Sequence, residues 1–144
     1  MASLMFAAAL AAPAALRAQD APPPLDLIPT DSIAWRETAS GMAFALVAGS
    51  TRDEGGSYGL LARLDEGQWI APHWHPRDKH IVVLSGVLLI GSGPSGDPEG
   101  ARELAAGGAT TVPAEAVHYE GARGRTVVLF YGEGPLTTTF VGGG

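Results

Sequence analysis

The chain carries four histidines, His73, His75, His80 and His118. The piece His73-Trp74-His75 is the most informative. In an extended strand, residues two apart project from the same face, so both imidazoles would enter one space while Trp74 points the other way. Neutral imidazole nitrogens placed together suit a divalent transition metal such as Fe, Mn, Zn, Ni or Cu. His118 follows a turn-like stretch from Gly107 to Pro113, and a further strand could carry it to the same point. The pair alone does not decide the matter, because histidines also serve as ordinary core or surface residues. His80 has the opposite parity, but Pro76 interrupts the strand between them. It is therefore a candidate fourth ligand, with packing on the outer face as the alternative.

Strands must position these residues. Short apolar or β-branched runs recur at Ile33–Arg36, Met42–Ala48, Tyr58–Leu64, Trp69–Ala71, Ile81–Leu84, Val87–Ile90, Arg102–Leu104, Ala109–Val112, Thr126–Tyr131 and Leu136–Val141. Ser85-Gly86 reads as a turn between two of them. Strand starts about eight to twelve residues apart suggest a sandwich or barrel, and helical periodicity is not sustained in any segment after the first twenty or so residues. Gly91-Ser92-Gly93-Pro94-Ser95-Gly96 fits a dinucleotide-binding pattern. That pattern needs a helix at its end, and Asp97-Pro98-Glu99-Gly100 prevents one, so the segment reads as a hairpin loop.

Composition agrees with a β-rich domain. Apolar residues make up 46% and charged residues 17%, which excludes a disordered chain. Twenty glycines and eleven prolines match many strands joined by turns. A net charge of −6 with nine Lys and Arg argues against a nucleic-acid partner. Without cysteine there is no disulfide, thiolate nucleophile or Cys-based metal site.

The first sixteen residues are apolar and Ala-rich, too short to span a bilayer comfortably, and Leu16-Arg17-Ala18 offers a cleavage site. Residues 1–18 therefore read as a signal peptide, although no Lys or Arg precedes the apolar run. Residues 19–32 read as a Pro-rich linker and 142–144 as a disordered tail. A periplasmic or secreted protein without a membrane span in its mature form is expected.

Two segments resemble the motifs of the cupin family. Gly67, His73-Trp74-His75 and Gly86 resemble the first motif; Gly107, Pro113 and His118 resemble the second. The run Ala71 to Gly86 is similar to a group of small bacterial cupins. The resemblance implies an all-β fold, a single cupin (jelly-roll) β-barrel over residues 33–141. It also implies a metal inside the barrel on His73, His75 and His118, and a homodimer that shares edge strands.

The chain departs from the cupin pattern at three places. Lys79 stands where the family has a glutamate ligand, Glu115 where it has glycine, and Ala122 where it has asparagine. An ammonium beside a dication in a low-dielectric barrel is costly. Lys79 must therefore snorkel to solvent, lose its proton, or pair with an anion beside the metal, where it would be a ligand-binding residue. Tyr119 is a second candidate ligand-binding residue; Glu120, Tyr131 and Arg63 are auxiliary candidates that the sequence does not place.

Because cupins host many activities, three functions remain open. The first is a metal-dependent dioxygenase or related enzyme on a small, anionic organic molecule. The second is a non-catalytic metal- or ligand-binding sensor. The third is a degenerate cupin with a structural or partner-binding role.

Overall fold

The computed structural model describes residues 24–39 and 41–142. The leader expected over 1–18, the first part of the linker and residues 143–144 lie outside the described residues. The described part of the linker is exposed, with one 3-10 turn at Thr30–Ser32. Nine strands follow: β1 (Arg36–Glu37), β2 (Ala43–Gly49), β3 (Ser57–Leu64), β4 (Trp69–Trp74), β5 (Lys79–Ser92), β6 (Arg102–Ala105), β7 (Ala109–Val112), β8 (His118–Glu133) and β9 (Thr139–Phe140). A second 3-10 turn, Pro98–Gly100, closes the loop between β5 and β6. There is no α-helix among the described residues, and no helix there is long and apolar enough to cross a membrane.

All pairings are antiparallel. Strand β8 is the spine of the curled sheet, bonded to β3, β4 and β5, while β5 also carries β6 and β7. The result is the all-β jelly-roll barrel that the motifs imply. Its core is built from Leu64, Ile81, Val83, Leu88, Val128 and Phe130, all buried.

Two elements differ from the sequence reading. Ser85-Gly86 does not reverse the chain. Residues 79–92 form one strand whose register against β8 shifts between Val83 and Ser85 and again between Ser85 and Val87. Gly86 makes this bulge feasible, with φ +76 and Arg125 O 2.5 Å from where a Cβ would sit. The Thr126 hydroxyl accepts from Val87 N at 3.1 Å and donates to Val87 O at 3.0 Å, replacing ladder bonds. The bulge also changes parity: Lys79, Ile81 and Val83 face inward before it, Leu88 after it.

Strand β8 begins at His118, eight residues earlier than the apolar run from Thr126 suggests. The stretch Tyr119–Arg125 contains no β-branched residue, so its composition hides a strand. Gly121 there is required by packing, because a Cβ would fall 2.6 Å from the Trp69 ring.

Facing determines the expected cost of truncation in β5. Ile81 is fully buried and Leu84 half exposed. Ile81→Ala should cost about 2–5 kcal/mol, and Leu84→Ala should stay within about 0.5 kcal/mol of the parent. Denaturant titration checks both, and equal costs would contradict the inward parity of Ile81.

Candidate metal centre

Strand alternation assembles the centre. His73 lies on β4 directly opposite His118 at the start of β8, and His75 follows just past the end of β4 on the same side. Ring centroids are 4.2 Å apart for His73 and His118, 5.0 Å for His73 and His75, and 5.3 Å for His75 and His118. One ligand atom from each lies within 4.8 Å of the others, and all three side chains are buried.

Each ring is oriented by a backbone carbonyl. His73 Nδ1 meets Ala71 O at 2.7 Å, His75 Nδ1 meets Thr137 O at 2.7 Å, and His118 Nδ1 meets Ala116 O at 3.0 Å. A carbonyl only accepts, so Nδ1 carries the proton and Nε2 the lone pair. That tautomer is the one a metal site fixes. Nε2 of His75 and of His118 is buried without any partner. Buried polar atoms rarely stay unpaired, and a cation shared by the three rings would satisfy both. The imidazoles are also held neutral. Burial, with the Lys79 ammonium adding to it, pushes His75 and His118 down to about 4. Burial lowers His73 as well, against the opposing pull of Glu120.

Lys79 does not snorkel. Its side chain is 2% exposed, and Nζ donates to Glu120 Oε1 at 2.8 Å while sitting 4.5 Å from the centre of the Phe130 ring. The anion that pairs with it therefore belongs to the chain itself. Parity explains the direction, because Lys79 shares the inward face of β5 with Ile81 and Val83. Glu120 is 1% exposed and follows His118 by two residues on the inner face of β8, with Oε1 3.7 Å from His118 Nε2. Burial acts to raise its pKa, but Lys79 and His118 more than offset this, and the carboxyl stays below its ordinary value. The sequence offered Glu120 only as an unplaced auxiliary; its spacing from His118 was the signal that could have found it.

The structure does not bring His80 to the group. Lys79 and His80 open β5, beyond the break at Pro76, so alternation applies and His80 faces outward. Its Nδ1 lies 2.8 Å from Thr111 Oγ1 and its ring stacks on Tyr131 at 4.9 Å. Tyr119 also points away from the histidines. It is buried on the opposite face of β8, where its hydroxyl donates to Asp97 O at 2.6 Å and its ring lies 6.1 Å from that of Trp69. Tyr119 thus ties down the loop after β5. Arg63 packs over Trp35 and pairs with Glu37 on the surface.

A cavity of about 260 Å³ adjoins the centre. His73, His75, Lys79 and Glu120 form its polar side, and Phe44, Leu60, Ile70, Phe130, Leu136 and Phe140 line much of the remainder. This arrangement can hold a small molecule with a mainly apolar body against the histidines.

Comparison with known proteins agrees with this architecture. The family model described as a ChrR cupin-like domain matches residues 25–137. No curated protein matches the chain. Among solved structures, a cupin superfamily protein from Desulfitobacterium hafniense is similar at 19% identity and a TM-score of 0.56, covering 78% of this chain and 94% of that one. KdgF from Halomonas sp. is similar at 20% identity and a TM-score of 0.57, covering 75% and 94%. A chain from the Rhodobacter sphaeroides complex of SigE with the anti-sigma ChrR is similar at 19% identity and a TM-score of 0.55, covering 72% of this chain and 51% of that one. At these identities the likeness concerns the fold.

The neutral imidazoles set a pH dependence for the metal-free protein. His75 and His118 titrate at about 4 when folded and near 6.5 in the unfolded chain, so the unfolded chain takes up protons first as pH falls. Their contribution is complete above pH 6.5 and is lost as pH drops toward 4. Thermal melts of chelator-treated protein should show Tm falling across that window, with a shallower fall for His118→Gln. A Tm independent of pH there would contradict buried neutral rings.

Proposed function

The chain belongs to the family of ChrR cupin-like domains, and on that premise we propose that it binds one divalent transition-metal ion on His73, His75 and His118 and presents it to a small organic molecule in the adjoining cavity. The observation that carries this reading is the pair of buried, unpartnered Nε2 atoms on rings whose Nδ1 atoms are already committed to carbonyls. Imidazole donors suit Fe, Mn, Zn, Ni and Cu alike. A bound ion would supply a Lewis acid with positions open to substrate or O₂.

The chain's own residues do the rest. Ala71, Thr137 and Ala116 orient the rings through their carbonyls, and aromatic and aliphatic side chains give the cavity an apolar lining. Because Glu120 takes up Lys79, a substrate carboxylate anchored by Lys79 is no longer the favoured ligand; the apolar walls favour a molecule with an apolar body. We read the activity as a metal-dependent oxidoreductase of the dioxygenase type. A second reading is binding or sensing without turnover, and the likeness to a chain of the SigE complex with the anti-sigma ChrR adds partner binding to what that reading covers. Export belongs to the proposal on the strength of residues 1–18, and a homodimer on the exposed Leu46 and Leu84.

Elemental analysis of untagged protein purified without chelator tests the centre. About one equivalent of a transition metal per chain is the expected result, with a sharp loss in His75→Ala. Metal content unchanged in that variant would overturn the three-histidine site. Oxygen uptake on addition of small apolar substrates then separates turnover from sensing.

A further inference from the structure

We propose that Glu120 is the fourth donor to the metal ion and Lys79 its fixed counter-ion, so that the two charges have exchanged places relative to the cupin pattern, in which position 79 carries the carboxylate. This inference rests on the metal-binding reading above and assigns roles that the three histidines alone leave open.

Three observations support it. Glu120 Oε1 is engaged by Lys79 Nζ, yet Oε2 is buried with no partner. An anionic oxygen buried without a hydrogen-bond partner is costly. The other buried side-chain atoms without partners are Nε2 of His75 and of His118, so that all three unsatisfied atoms among the described residues belong to this one cluster. The ligand atoms that lie within 4.8 Å of one another are those of the three histidines, so a cation held there would meet Glu120 at the edge of the group and draw its free oxygen in by a turn of the side chain.

Second, Glu120 stands at the edge of the imidazole group, with Oε1, the oxygen that Lys79 engages, 3.7 Å from Nε2 of His118. Alternation along β8 puts it on the ligand face, two residues from His118, whereas Tyr119 between them faces away. Third, Lys79 is an ammonium in a buried position with a dication's ligands beside it. Removing one partner of a buried pair leaves an uncompensated charge. A carboxylate shared between ammonium and metal removes that conflict, and it explains why a lysine can occupy a position where the family has an acid.

Cobalt(II) serves as the probe, because its visible spectrum reports its ligands as well as its affinity. The full chain would be stripped of metal, reloaded and titrated against a competing chelator. Glu120→Gln should weaken Co(II) binding by about 10- to 100-fold and change the visible bands. The exchange variant Lys79→Glu/Glu120→Lys should keep wild-type affinity, because it restores the family arrangement. Glu120→Gln with wild-type affinity and an unchanged spectrum would overturn the proposal while leaving the three-histidine site intact. Wild-type protein that takes up no Co(II) would overturn the metal reading itself. If Glu120→Gln fails to fold, the visible spectra of Co(II)-loaded wild type and exchange variant decide: matching bands support a carboxylate donor in the wild type, and bands that differ overturn the proposal.

Discussion

A strand can offer side chains to an enclosed space only at every second residue, and that constraint governs this barrel. Strand β8 obeys it along its length, delivering His118, Glu120, Val128 and Phe130 to the interior. Strand β5 obeys it in two halves, because the bulge at Gly86 moves the inward set from odd to even positions. The polar end of β5 thereby contributes Lys79 to the cavity and the far end contributes Leu88 to the core. Without the bulge one of the two halves would turn its apolar face to solvent. Centre and core therefore rest on the same ladder.

The Lys79–Glu120 contact shows what that geometry has to accommodate. A buried ion pair is weak evidence of stabilisation, since desolvation offsets most of the attraction. An apolar pair of similar volume would suit a purely structural barrel at least as well. The pair instead sits against three imidazoles with lone pairs aimed inward and beside a cavity walled by aromatic and aliphatic side chains. Charge is concentrated at one end of an otherwise apolar interior, as in sites that use electrostatics for chemistry.

The fold and the clustering of the three histidines were legible because both depend on local pattern. His73 and His75 declare a shared face by spacing alone, and glycines and prolines mark most of the strand ends. The bulge at Gly86 was not legible, because a glycine after serine looks the same in a turn and in a bulge; the difference lies in Thr126, forty positions away along the chain, whose hydroxyl supplies the missing ladder bonds. The first half of β8 was hidden by a composition suited to close packing, as at Gly121 against Trp69. The partner of Lys79 was not legible for a similar reason. A lysine considered alone belongs in water, and only the register of β5 against β8 shows that a carboxylate waits for it inside.

The carbonyl that orients His75 comes from Thr137, 62 residues further along the chain. Strand β9, which follows directly, pairs with β4 beside His73. A ribosome releases these parts in order, so His73 and His75 emerge long before the segment that holds them. The centre cannot be complete until nearly all of the barrel has been synthesised and its last strand has docked. Metal would then enter a finished scaffold rather than nucleate it, the reverse of small zinc domains whose fold forms around the ion.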